Sequence, residues 1–361
     1  MRQRWMRQQR LDGYNPSMNR RELLTALLVT GGGAIDSHQD PASVLERDGS
    51  RQPLRTLAGW RSRRGRILAG MQAVMGALPS TSRKRPPETR LIEEVRLDGL
   101  VRRKLTYRSD RAAPVPAYVF LPQASARKRR PAVLCLQQTT QTGAAEPAAL
   151  AGDPEMRYAL ELARRGFVTL APDFPGFGDH EYDFAPRHGY ASGTMKAIWD
   201  NLRAVDLLRS MPEVDEDRIG VIGHSLGGHM ALFTAPFEPR LRVIVSSCGF
   251  TRFHRDDIPS WNGPRYMPRI ASVYDDDADR LPFDFPEVIA ALAPRAFLAC
   301  AARGDADFDV RGVRESIDAA GPIYALYGRR RNLALHEWEG PHGFPPPARE
   351  EAYRFLERHL R

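Results

Sequence analysis

Cysteine is scarce in this 361-residue chain. There are three, Cys135, Cys248 and Cys300, each in or at the end of an apolar run. An odd, dispersed set makes a poor disulfide framework. Without C-x-x-C spacing or a His-rich tract, no metal centre is expected and the thiols read as small buried core residues. Lysine is nearly as rare: four of 53 basic residues (Lys84, Lys104, Lys128, Lys196), so the net charge of +9 is carried by Arg, much of it at or before Arg130. No basic–aromatic binding motif accompanies that charge, which is read as solvated Arg rather than a nucleic-acid surface. Long hydrophobic runs are missing too. The apolar stretch at residues 23–35 is too short to span a bilayer as a helix, and nothing else approaches that length, so no stable membrane insertion is expected. Internal repeats are also lacking. A chain of this length suits one large α/β domain with an N-terminal appendage better than two equal domains.

Residues 1–90 read as the appendage. Arg20-Arg21 ahead of the apolar stretch resembles a twin-arginine export signal over residues 18–35, which would place the protein in the periplasm or outside the cell. The alternative is a cytoplasmic protein with a frayed N-terminal helix, and Met18 is a second candidate start. Residues 52–78 carry a helical period, and residues 82–89 form a Pro-rich basic linker.

From residue 91 to 361 the pattern is that of an α/β catalytic domain. Three short runs, 92–97, 101–107 and 115–121, alternate partly and suggest an antiparallel lead-in. Continuous apolar runs at 131–136, 167–171, 219–222, 241–247, 296–301 and 333–338 suit buried parallel strands. Helical stretches at 156–165, 195–211 and 349–361 intervene or follow. Strands alternating with helices predict a mostly parallel, doubly wound sheet flanked by helices.

One segment carries chemistry. The run at 219–222 ends in Gly223-His224-Ser225-Leu226-Gly227, and a helical pattern begins at Gly228. Strand, G-x-S-x-G, helix is a nucleophile elbow: Ser225 sits on a strained turn, and side chains at 223 and 227 would collide with it. The turn aims the Leu226 N–H and a helix N-terminus at one spot, where an oxyanion would form. A base and an orienting acid should follow in chain order, each after a later strand. Asp305 follows the run 296–301, with Asp307 and Asp309 next to it. His342 follows the run 333–338. His342 is the candidate base and Asp305 the preferred acid over Asp307, with Asp309 capping the next helix. The second oxyanion donor should come from the loop after 133–136, through the N–H of Gln138 or Thr139. Between residues 248 and 295, Phe253, Trp261 and Tyr266 either wall a substrate pocket or form a local core. His224 and His229 are assigned to packing, and the acidic residues at 275–279 to a solvated turn.

Together Leu136-Gln-Gln-Thr-Thr140, Ala171-Pro-Asp-Phe-Pro-Gly-Phe-Gly178, Gly223-His-Ser-Leu-Gly-Gly228, Pro282-Phe-Asp-Phe285, Leu292-Ala-Pro-Arg295, Asp305-Ala-Asp-Phe308 and His342-Gly-Phe-Pro345 make residues 91–361 resemble the α/β-hydrolase family, within it the dienelactone-hydrolase and acetyl-xylan-esterase-like group. The resemblance implies an α/β-hydrolase fold, a Ser–His–Asp carboxylesterase working through an acyl-enzyme without a cofactor, and a small-molecule or carbohydrate ester as substrate. Relatives often place His-Gly or His-Gln where this chain has Gln137-Gln138. Dienelactone hydrolases proper use Cys where Ser225 stands, which favours ordinary ester hydrolysis. The same site also suits a thioesterase or peptidase, and a silent hydrolase fold used for binding is the remaining alternative.

Overall fold

The computed structural model describes residues 43–45, 51–80, 83, 85–111, 114–123, 129–185 and 189–361. The expected export signal lies outside the described residues. A two-stranded antiparallel ladder, Ser43–Leu45 with Arg51–Pro53, precedes α1 (Leu57–Met75). The helix starts later than its apolar period suggested, because residues 51–53 are extended and the Thr56 hydroxyl caps α1 by accepting from the Gly59 N–H at 3.1 Å.

Then come β1 (Thr89–Leu97), β2 (Leu100–Tyr107), β3 (Val115–Pro122), β4 (Arg130–Leu136), α2 (Tyr158–Arg164), β5 (Val168–Pro172), α3 (Gly193–Ser210), β6 (Val214–His224), α4 (Leu226–Thr234), β7 (Leu241–Ser247), α5 (Arg269–Tyr274), α6 (Phe285–Ala290), β8 (Ala296–Ala302), α7 (Val310–Leu326), β9 (Leu333–Trp338) and α8 (Pro346–Leu360). The nine strands form one sheet in the order β9-β8-β7-β6-β4-β5-β3-β2-β1. Pairings from β5 through β4, β6, β7 and β8 to β9 are parallel, while β1, β2 and β3 join antiparallel. This is the α/β-hydrolase architecture the sequence predicts, antiparallel lead-in included.

Period-2 alternation divides the core into two layers. Ala132, Leu134 and Leu136 of β4, Ile219 and Val221 of β6, and Phe297 and Ala299 of β8 face one side, where α1, α3, α4, α6 and α7 pack. Val133 and Cys135, Ile222, and Leu298 and Cys300 face the other, against α2 and α8. A sheet buried on both faces explains why these strands read as continuous apolar runs. Trp60, Ile67, Met71, Val74 and Met75 of α1 are buried in the first layer, and Gly70 passes so close to the Pro282 carbonyl that a Cβ there would lie 2.4 Å from its oxygen. Among the described residues no helix is long and apolar enough to cross a membrane.

The sheet positions the site through its register. Leu136 of β4 pairs with Gly223 of β6, His224 with Ser247 of β7, Ser247 with Cys300 of β8, and Ala302 with Trp338 of β9. The C-terminal ends of β4, β6, β7, β8 and β9 therefore lie side by side, where sites of open α/β sheets assemble. Ser225 follows β6 directly and Cys248 follows β7; Asp305 and His342 lie just past β8 and β9.

Candidate active site

Ser225 caps α4 with φ 53° and ψ −118°, a left-handed conformation that costs on the order of 1–3 kcal/mol for a residue with a side chain. Its N–H donates to the Ser247 carbonyl at 2.8 Å, and its carbonyl accepts from the His229 N–H at 3.1 Å. The second bond is helical, so α4 begins at Leu226, two residues before the sequence pattern placed it. A Cβ on Gly223 would lie 2.2 Å from the Gly227 carbonyl group, and one on Gly227 would lie 1.9 Å from the Leu136 oxygen. Neither position admits a side chain. The second contact also presses the loop after β4 against the start of α4. Gln138 is half-buried and Thr139 exposed on that loop, near the end of α4 that carries the Leu226 N–H. Gln137 is 2 % exposed; its Oε1 accepts from the Phe174 N–H at 3.4 Å, while its Nε2 meets no partner among the described residues. This side chain was not singled out from sequence, where it was one of two adjacent glutamines.

His342 and Asp305 are brought together. His342 Nδ1 lies 2.9 Å from Asp305 Oδ2 and 3.1 Å from Oδ1. Asp305 is nearly inaccessible, with 2 % of its side chain exposed, and its Oδ1 also accepts from the N–H groups of Asp307 and Phe308 at 2.8 and 3.0 Å. Burial pushes this carboxyl up, but the hydrogen bond from His342, its charge and the two backbone donors outweigh burial and hold it below the usual carboxylate range. Asp307 Oδ2 is 4.0 Å from the same Nδ1 on a side chain 46 % exposed, and Asp309 caps α7 by accepting from the Arg311 N–H at 2.8 Å. With Nδ1 engaged by the carboxylate as donor, the tautomer that fits the network leaves Nε2 a lone pair.

The His342 ring packs against His224 at 4.8 Å and Phe308 at 5.9 Å between centroids. His224 stacks on Phe344, and its Nδ1 lies 3.1 Å from Ser247 Oγ. Burial first, then the neighbouring His342, holds His224 well below the ordinary imidazole value, so it stays neutral. His229 is likewise kept neutral, its value lowered by burial to about 3.

Of the expected pocket residues, Trp261 and Tyr266 reach toward the site and Phe253 does not. Trp261 packs on His229 at 4.8 Å and on Phe308, the neighbour of His342, at 6.4 Å. The Tyr266 hydroxyl hydrogen-bonds the Thr139 side chain on the loop after β4. Phe253 is 1 % exposed and enclosed by Trp261, Phe283 and Phe285, a core position. Asp173 receives the N–H groups of Ala144 at 2.6 Å and Asp179 at 3.0 Å and so ties residues 143–145 to 173–179.

Cys248 is the residue whose placement sequence reasoning missed. It is buried, with φ 42°, its N–H donates to the Cys300 carbonyl at 2.8 Å, and its Sγ lies 3.6 Å from the Gly343 carbonyl oxygen. Burial, followed by the Asp305 charge, pushes its thiol up to about 12. An open cleft of about 490 Å³ lies against Asp305, Asp307 and Asp309, with Arg255, Arg303 and Arg311 on its walls.

Comparison with known proteins agrees with this geometry. A family model described as the alpha/beta hydrolase family matches residues 149–359. The protein YtaP of Bacillus subtilis (strain 168) is 29% identical over 220 residues, 56% of this chain and 68% of YtaP. A 2,6-dihydropseudooxynicotine hydrolase of Paenarthrobacter nicotinovorans is 29% identical over 188 residues, 52% of this chain but 44% of that enzyme. The solved structure of a glucuronoyl esterase from Solibacter usitatus superposes with a TM-score of 0.72 over 90% of this chain and 98% of its own, at 19% identity, a likeness of fold.

Proposed function

The chain belongs to the alpha/beta hydrolase family, and we propose that within it the protein is a serine carboxylesterase acting on small-molecule or carbohydrate esters through an acyl-enzyme. The observation that carries this reading is the buried Asp305 carboxylate held at 2.9 Å from His342 Nδ1, on the sheet edge where Ser225 occupies its strained turn. In the proposed reaction Ser225 Oγ attacks the acyl carbonyl while His342 Nε2 takes its proton. Asp305 stabilises the imidazolium that forms, and His342 returns the proton to the leaving alcohol. The oxyanion is held by the Leu226 N–H at the start of α4 and by the N–H of Gln138 or Thr139. Water, activated by the same His342, then releases the acid. Trp261 and Tyr266 are the proposed walls for the alcohol or acyl group. The carbohydrate class draws support from the esterase whose fold this chain shares.

The test is fluorophosphonate labelling with mass-spectrometric mapping, on wild type and His342→Ala, beside hydrolysis of a p-nitrophenyl ester chain-length series. One adduct, on Ser225, fading in the variant and accompanied by ester turnover, is expected. No adduct, or one indifferent to His342, would overturn the triad and leave a binding protein on a hydrolase fold.

A further inference from the structure

We infer that Cys248, Asp305 and His342 together form a binding site for a zinc-like divalent cation, whose occupancy switches off the base of the reaction. The inference rests on the proposed roles of Asp305 and His342 for its consequence, but not for the binding itself.

The donor set is a thiol sulfur, an imidazole nitrogen and a carboxylate oxygen, and these atoms all lie within 4.8 Å of one another. Sulfur, nitrogen and oxygen in that combination suit Zn²⁺. Tetrahedral zinc with its usual bond lengths spaces its ligand atoms about 3.5 Å apart, so side-chain shifts of about 1 Å close the set. The scaffold already fixes the three donors. They follow β7, β8 and β9, whose ends are held in register, and the Cys248 N–H is anchored on the Cys300 carbonyl. The Gly304 N–H donates to the Gly340 carbonyl at 3.0 Å, tying the Asp305 loop to the His342 loop. A fourth ligand is close: Asp307 Oδ2 stands 4.0 Å from His342 Nδ1. A cleft lined by Asp305, Asp307 and Asp309 approaches the set from the Asp305 side; its Arg303 is paired with Glu337 and Glu339, and its Arg311 with Asp309.

Binding replaces two proton contacts by bonds to the metal. The Cys248 thiol releases its proton to solvent as its sulfur binds. His342 remains a neutral imidazole, so when Nδ1 binds the metal the ring proton moves through solvent to Nε2. The nitrogen that would accept the Ser225 proton then carries one already, and Asp305 is turned from the ring to the metal. Net, one S–H bond is lost with its proton to solvent, the ring N–H is broken at Nδ1 and re-formed at Nε2, sulfur, nitrogen and an Asp305 oxygen replace water on the incoming cation, and nothing is oxidised.

The experiment uses the full chain and two probes. Cd²⁺ titration followed in the ultraviolet should give a thiolate-to-metal charge-transfer band in wild type and in Cys135→Ala, and none in Cys248→Ala. Zn²⁺ should inhibit ester hydrolysis, with EDTA restoring it. Cys248→Ala should hydrolyse at the wild-type rate without metal and need at least about tenfold more Zn²⁺ for half-inhibition. If the alanine variant does not fold, Cys248→Ser serves, since a hydroxyl is a poor zinc ligand. A wild type without the Cd²⁺ band, or equal Zn²⁺ inhibition of wild type and variant, overturns the site. The band needs no turnover: its presence in a protein without esterase activity would sink the catalytic reading and leave the metal site standing.

Discussion

Gly227→Ala tests the coupling between the elbow and the proposed oxyanion loop. A Cβ at 227 would lie 1.9 Å from the Leu136 oxygen, 2.6 Å from its carbonyl carbon and 2.8 Å from the Gln137 oxygen. All three are backbone atoms, so no side chain can rotate away. Restoring ordinary contact separates the start of α4 from the loop after β4 by about 1.5 Å. That displacement acts on the distance between the Leu226 N–H and the N–H groups of Gln138 and Thr139. Misplacing a reacting geometry by about 1 Å costs on the order of 100-fold, and losing one oxyanion donor about 10²–10³. The expectation is a fall in kcat of about 10²–10³ on p-nitrophenyl acetate. Overpacking adds a stability loss of about 1–3 kcal/mol, a Tm drop of about 1–4 °C by scanning calorimetry. Gly65→Ala is the control, because a Cβ there meets no atom within 4 Å in the middle of α1. It should gain about 0.5–1 kcal/mol and leave kinetics alone. A folded Gly227→Ala with wild-type kcat would refute the oxyanion assignment.

Asp305→Asn should lower kcat by about 10³–10⁴ by destabilising the reactive tautomer and the imidazolium, while Asp307→Asn keeps turnover near wild type; steady-state kinetics of both variants decide which carboxylate orients His342. Arg63→Ala removes the guanidinium from a buried pair with Glu287, whose side chains are 6 % and 1 % exposed, and should cost about 3–5 kcal/mol in urea unfolding by taking the paired charge from a buried carboxylate that keeps its bond from the Asp284 N–H. Asp173 supplies a pH test. Burial lifts its carboxyl from 3.8 to about 7 against two backbone donors, so between those values the folded chain holds a proton that the unfolded chain has released. The stability it contributes is fully present below the unfolded value and is lost as pH rises through the folded one. Asp173→Asn does not titrate; the wild-type advantage over the variant in urea midpoint should therefore shrink from about pH 4 to about pH 7 and level off above. An advantage that grows over that window would contradict the assignment.

What was legible in the sequence was local. Gly223, Ser225 and Gly227 announce the elbow because the constraint is met within five residues, and the apolar run before them marks a strand buried on both faces. Asp305 and His342 were legible at one remove: each follows an apolar run by a few residues, and parallel strands bring such positions to one edge. The start of α4 was misjudged because Ser225, a poor helix residue by its dihedrals, still accepts a helical bond from His229. Phe253 was left open between pocket wall and core because aromatic content does not say which face is enclosed; Phe283 and Phe285, thirty residues on, put it in the core.

The cysteines show where sequence spacing stops being informative. Metal motifs are recognised by short intervals because two ligands on one turn share a local backbone. Cys248, Asp305 and His342 share no turn; they are far apart in the chain and meet only through the pairings of Ser247 with Cys300 and Ala302 with Trp338. Cys135 and Cys300 lie within their strands and face the α2–α8 layer, as an apolar run implies. Cys248 lies one residue past its strand, and its left-handed backbone bends it away from the alternation that governs the other two. One position thus separates a packing thiol from one beside the Asp305 carboxylate. Shifting β8 against β7 by one residue would leave every hydrophobic pattern in the sequence readable and still disperse the donor set, since register, not composition, holds it together.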